Sequence, residues 1–222
     1  MDEWWTYGIA ELILFTPETY FRLFELYHRE WWPMQLACLV MAVVILLCLW
    51  LKPTRGGRVI AILLAASWAW VGWAFLHARF AAIHWVADWY AVAFVIQALL
   101  LFVYGLSRRG MEFETGNTVR AGIGIFVLLG VLLVMPATAH LTGREWMEAE
   151  LFAMTPDATA LATLGLLLLA KGRFTVWLVV IPVAWCFVTG ATLWVLGAPE
   201  ALILPIGAML AIALMVMPVR RR

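Results

Sequence analysis

The groups with most chemistry to offer are four histidines, His28, His77, His84 and His140, and three carboxylates beside or within apolar runs, Asp88, Asp157 and Glu200. His84 and Asp88 are four apart, so on a helix they share a face, where a carboxylate can orient or charge an imidazole. His77 closes an earlier apolar run with Trp70 and Trp73 on its face, and the short connection 76–83 draws it toward the other two. One reading is a proton relay, or a metal held by His77, His84 and His140 with Glu148 or Glu200 completing the set. The other is an interfacial belt in which His and Trp hold a hairpin at depth.

Asp157 follows Thr155-Pro156, so a carboxylate at the second helical position complements the helix dipole. Glu200, just after Pro199, has the same explanation. Asp157 gains a ligand role where its helix starts inside the bilayer, because a helix end there faces substrate. Trp68, Trp70, Trp73, Trp185 and Trp194 fall within apolar runs and either pack or box a cationic ligand. Thr189 and Thr192 are expected to bond a carbonyl one turn back, and Gln97 to find a neighbouring helix. Pro136, Pro182 and Pro205 are expected to kink their helices. Cys38, Cys48 and Cys186 are scattered, with no redox or zinc spacing.

The elements that must position these groups are set by composition. Of 222 residues, 65% are hydrophobic and 13% charged, against about 45–50% and about 25% for a globular domain. Net charge is +1, and neither a nucleic-acid-binding nor a disordered chain fits. The sequence predicts an all-α polytopic membrane bundle with about seven spans, at 34–51, 59–77, 84–106, 121–139, 155–170, 174–197 and 201–217. The fifth is short, about 24 Å against a core of about 30 Å. Residues 1–222 read as one integral membrane domain, with 1–32 an interfacial helical region and 33–222 the bundle. The start lacks a basic n-region and cleavage site, so the N-terminus is expected to be retained.

Assigning alternate loops to one side groups Lys52, Arg55, Arg58, Arg108, Arg109, Arg120, Lys171, Arg173 and Arg220 to Arg222, and leaves Arg22, Arg29, Arg79 and Arg144 opposite. That bias places the N-terminus outside and the C-terminus in the cytoplasm, in the inner (plasma) membrane. All four histidines and 12 of the 14 acids then fall on or near the outer face. There they attract cations, protons or amines, although acids also accumulate wherever Lys and Arg are kept away. Trp4, Trp5, Trp31, Trp32, Trp85, Trp89 and Trp146 form an outer aromatic belt.

Thr16-Pro17-Glu18 opens an amphipathic helix with Tyr20, Phe24, Tyr27 and Trp31 on one stripe and Glu18, Arg22, Glu25 and Arg29 on the other. Such a helix lies in the headgroup plane. Thr142 to Glu145 reads as a capping box starting a second outer helix over 143–152. Two Pro, span, basic loop, Trp-rich span patterns, at 33–73 and 156–190, suggest parallel repeats in a three-plus-one-plus-three plan.

The stretches Phe15 to Tyr20, Trp68 to Trp73 with His77, Pro156 to Gly165 and Trp185 to Trp194 resemble those of an uncharacterised bacterial multi-pass membrane family of unknown function, DUF6064. The resemblance implies an inner-membrane location and supplies no activity. Alkaline-ceramidase-like hydrolases are superficially similar through Ser67, His77 and Asp88, but the last span lacks their His pair. Small sugar transporters share the suggested repeat without their Pro-Gln signature.

The expected function is therefore transport or solute binding at an outward-facing cavity, with His77, His84 and Asp88 as ionisable core, Asp157 and Glu200 as partners, and Trp70 and Trp73 beside them. The solute is a small molecule, a cation or one coupled to protons. Alternatives are a non-catalytic subunit of a membrane complex, motivated by the amphipathic helix and the Trp-rich faces, and a metal-dependent membrane hydrolase. The lipid bilayer is the expected partner, a protein partner or second copy is open, and no cofactor is required.

Overall fold

The computed structural model describes residues 15–52, 54–107, 111–116, 118–172 and 175–217. Trp4, Trp5, Arg108, Arg109, Arg173 and Arg220 to Arg222, which entered the belt and charge arguments, lie outside them. The chain is helical in order: α1 (Pro17–Glu30), α2 (Met34–Leu51), α3 (Gly56–Trp70), α4 (Ala87–Leu106), α5 (Val119–Leu129), α6 (Met135–Leu141), α7 (Pro156–Leu169), α8 (Thr175–Val195) and α9 (Ile203–Val216). Helix α3 continues into a π-helical stretch at Val71–His77, and α5 and α6 are joined through another at Gly130–Val134. Five helical stretches are long and apolar enough to cross a membrane: Met34–Leu51, Gly56–Ala82, Ala87–Leu106, Val119–Leu141 and Thr175–Val195. The fifth and seventh expected spans, α7 and α9, are apolar but 14 residues each, about 21 Å of helix. Among the described residues, five of the seven expected spans therefore reach spanning length by themselves.

Helix α7 is the centre of the molecule. All 14 of its residues are buried, and it packs against α5, α8 and α9 and touches α3. A helix apolar all round belongs in a core, and one wrapped by protein need not match the lipid thickness by itself. Its two threonines close on the backbone one turn back: Thr163 Oγ1 donates to the Thr159 carbonyl and Thr159 Oγ1 to that of Thr155, the N-cap residue, both at 2.7 Å. Thr163 also accepts from Trp68 Nε1 at 2.9 Å, tying α3 to the centre. The antiparallel α5 approaches most closely at Gly124 and Gly165, where a Cβ on either would stand 2.7 to 3.0 Å from the other's carbonyl oxygen. Small residues permit that approach.

The connections alternate between two ends. At one, Glu112 and Phe113 pair antiparallel with Lys171 and Ala170, and Lys171 meets Glu114 at 3.2 Å. At the other, α1 folds across the bundle. Its Tyr20, Phe24 and Tyr27 are buried against Phe75 and Phe80, and Trp70 Nε1 donates to Tyr27 Oη at 2.9 Å. The expected lipid-facing stripe is thus spent on protein, since an amphipathic pattern specifies an apolar phase without saying which. Glu25, placed on the exposed stripe, is also buried, held by Arg22 and Arg29.

Two local expectations shift. Thr142 closes α6, its hydroxyl donating back to the Thr138 and Ala139 carbonyls, and the capping box forms three residues later between Glu145 and Glu148. The second outer helix shrinks to one turn, Trp146–Glu148. Pro205 falls in the first turn of α9, where no intrahelical donor is missed, so it gives no kink.

Candidate functional site

At the α1 end a cavity of about 910 Å³ opens between α1, the segment after α6 and the connection from α8 to α9, with Glu18, Arg22, Arg144, Glu148 and Glu200 in its wall. Arg144 and Glu200 form an ion pair, each side chain only 14% exposed. The guanidinium also stacks 3.9 Å over the Phe21 ring. The Glu200 carboxylate thus reaches across to another segment instead of capping α9, which begins three residues later.

Behind the pair, Arg144, Glu200, Glu150 and Asp157 line one small chamber of about 20 Å³ with Phe21, Met135, Thr138, Leu193, Ile203 and Leu204, room for about one water. Asp157 is 1% exposed. Its Oδ1 accepts from Trp185 Nε1 at 2.6 Å, with Glu150 and Thr189 beside it. The aspartate therefore joins α7 to α8, while the Thr155 hydroxyl turns back to the Leu151 N–H and carbonyl. Trp185 is fixed edge-on against Phe94 at 5.0 Å and Tyr90 at 5.4 Å. Burial pushes the Glu150 carboxyl well above the usual carboxylate range, and the neighbouring Asp157 charge pushes it further. One oxygen of Glu150 and one of Glu200 are buried with no hydrogen-bond partner among the described residues. With three carboxylates against one guanidinium, the chamber favours a bound proton or a cation.

The histidines gather at this end but do not converge. His77 Nδ1 meets Asp88 Oδ1 at 2.7 Å, with the two side chains 62% and 63% exposed. The expected partner of Asp88 was His84. Because α4 starts at Ala87, His84 lies in the preceding turn, off the helical face, and is buried among Phe15, Phe80 and Tyr90. That burial lowers its imidazole pKa. A second small chamber brings His84 near Tyr20, Pro156, Trp185 and Thr189, so it approaches the Asp157 region through Trp185. His140 is exposed and stacks on Trp146 at 5.2 Å. Among the described residues no three His, Cys, Asp or Glu side chains stand where they could hold a metal ion, so His77, His84 and His140 do not form the metal set that spacing allowed. Trp70 and Trp73 pack edge-to-face with Trp31, outside the chamber.

Arg144 and Glu150 are the residues that spacing did not assign to the site, and Trp185, one of five tryptophans expected either to pack or to box a ligand, serves as the donor to Asp157. The one sequence signal for Arg144 and Glu150 is their clustering with Glu145 and Glu148 just before a short, largely apolar segment.

Wide apolar helices around a polar chamber at one end define a membrane protein. Residues 17–222 match the family of unknown function DUF6064, and the chain belongs to that family. No curated protein and no solved structure matches it.

Proposed function

We propose that this is an integral membrane transport or solute-binding protein, resident in the inner membrane with the α1 end outside. Its cavity takes a small cation or a solute that moves with a proton. The observation that carries the reading is the pair of buried, unpartnered carboxylate oxygens of Glu150 and Glu200 beneath the cavity that opens at Arg144. An orphaned acceptor in low dielectric is costly, and a donor cation or proton relieves it. Supporting it, Arg144 and Glu200 stand between the wide cavity and the inner chamber, placed to part and re-form as a charged solute passes. Asp157 and Glu150, too close to ionise together without cost, share a proton that a cation displaces. The ionisable core is then Asp157, Glu150, Glu200 and Arg144, with His84 behind Trp185 and the His77–Asp88 pair a separate surface feature. The partner-subunit reading loses the part of its motivation that rested on α1, whose aromatic face is buried within this chain, and keeps the exposed tryptophans Trp85, Trp89 and Trp146.

Purified protein in liposomes with a trapped pH dye, challenged with a methylammonium gradient, tests the proposal. Wild type is expected to move protons or amine faster than protein-free liposomes, Asp157→Asn to abolish the flux while keeping the acceptor for Trp185, and His77→Gln to leave it unchanged. Wild-type traces matching protein-free liposomes overturn it.

A further inference from the structure

At the opposite end of α7 a second cavity, of about 300 Å³, is lined by Glu114, Thr118, Arg120, Ala121, Lys171 and Gly172, with the last turn of α7 as its floor. Its charges do not balance. Lys171 is matched by Glu114 at 3.2 Å, and among the described residues no carboxylate pairs with the guanidinium of Arg120. Arg120 Nη2 reaches only the Leu167 carbonyl, at 3.5 Å, and Arg120 Nε is buried with no partner among the described residues. Arginine stays charged, and although Arg120 is only half-buried, a covered Nε–H with no acceptor is costly. The Thr118 hydroxyl accepts from the Ala121 N–H at the start of α5, which leaves its own hydrogen free to donate to an oxyanion. Gly172 leaves open space on its side, with nothing within 4 Å of where a Cβ would stand.

We infer that this cavity is a binding site for a phosphate group, held by the Arg120 guanidinium, the Lys171 ammonium and the Thr118 hydroxyl. The planar guanidinium offers paired N–H donors that match two oxygens of a phosphate. Lys171 is placed to turn from Glu114 toward the second charge. The volume is at the lower end of the small-molecule range, about 300–1,000 Å³, and suits a phosphate with a modest substituent. The site is at the end where the Lys and Arg residues concentrate. Two sources carry the same chemistry there, the phosphodiester of an anionic lipid headgroup and a free phosphate or small phosphate ester. Some twelve residues of α7, about 18 Å, separate it from Asp157, so the two sites fail or hold independently.

The test uses the full chain, purified and delipidated in detergent, with the thermal midpoint as readout. Inorganic phosphate is titrated against chloride at constant ionic strength in one arm. In the other, the protein is bound to vesicles of phosphatidylcholine alone or with phosphatidylglycerol. A saturable rise in the midpoint with phosphate identifies a free-phosphate site, and retention by phosphatidylglycerol vesicles with no response to phosphate identifies a headgroup site. In either case Arg120→Gln is expected to weaken binding about tenfold to a hundredfold, in line with loss of charged hydrogen bonds. Lys171→Gln, at a half-exposed position, is expected to weaken it less. Arg58→Gln, an exposed cation of the same end outside the cavity, is expected to bind as wild type. Response to neither phosphate nor phosphatidylglycerol overturns the inference. So does Arg120→Gln binding as wild type, or Arg58→Gln losing as much as Arg120→Gln.

Discussion

At the residue scale, two buried polar contacts carry separable consequences. Trp185→Phe removes the donor to Asp157 and leaves a carboxylate oxygen unpaired in the core. It should destabilise the protein by about 2 kcal/mol, the range of hydrogen bonds to charged groups, measured as a lower thermal midpoint in detergent. His28 is 1% exposed and its Nδ1 meets the Met147 carbonyl at 2.8 Å. Burial lowers its imidazole pKa despite that bond, so the unfolded chain binds the proton more readily than the folded one. Stability from the neutral ring is then complete above about pH 6.5 and is lost as the pH falls through and below that value. His28→Gln, which keeps a donor for Met147, should give a flatter midpoint between pH 7 and pH 5 than wild type; a parallel decline would reject this role. The sequence made Asp157 and Glu200 conspicuous as acids in apolar surroundings, and both do line the chamber. It left Trp185 as one of five tryptophans within apolar runs, without its partner, because pairing across 28 residues leaves no local trace. The choice of His77 over His84 as partner of Asp88 depended on where α4 starts, three residues later than the apolar run implies.

At the element scale, helix packing is set by where backbones can touch. Gly165→Val places two methyl groups against α5, where even a Cβ would stand 3.0 Å from the Gly124 carbonyl oxygen. Overpacking of this kind costs about 1 to 3 kcal/mol or more. The expected result is a sharply reduced yield of monodisperse protein, against near-normal yield for Gly130→Ala, whose Cβ would meet nothing within 4 Å. Hydropathy located the spans to within a few residues: α2 coincides with 34–51, and α8 occupies 175–195 of 174–197. The π-helical stretches at 71–77 and 130–134 were invisible, since one inserted residue leaves apolar composition unchanged. The amphipathic pattern of α1 was plain from its spacing, and so was its Thr16 cap, whose hydroxyl accepts from the Thr19 N–H. Its docking onto Phe75 and Phe80 was not, because both partners are simply apolar in sequence.

At the scale of the whole molecule, single cysteines at Glu148 and at Lys52, in a chain whose own three cysteines are replaced, should label from opposite sides of intact cells. With the α1 end outside, Glu148→Cys reacts with an impermeant maleimide and Lys52→Cys reacts only after lysis; the reverse pattern would invert the proposed orientation. Charge bias between loops supports that assignment, and the alternation of the connections between two ends agrees with the grouping of loops it used. What composition could not reveal is that one of the expected spans is enclosed by protein along its whole length. The enclosure of α7 therefore has a consequence for biosynthesis. The ribosome emits this segment after α5 but before α8 and α9, so two of its walls do not yet exist when it leaves the exit tunnel. Until they arrive, the short, threonine-bearing rod lacks the neighbours that cover two of its sides, so its enclosure is complete only once α8 and α9 have packed onto it.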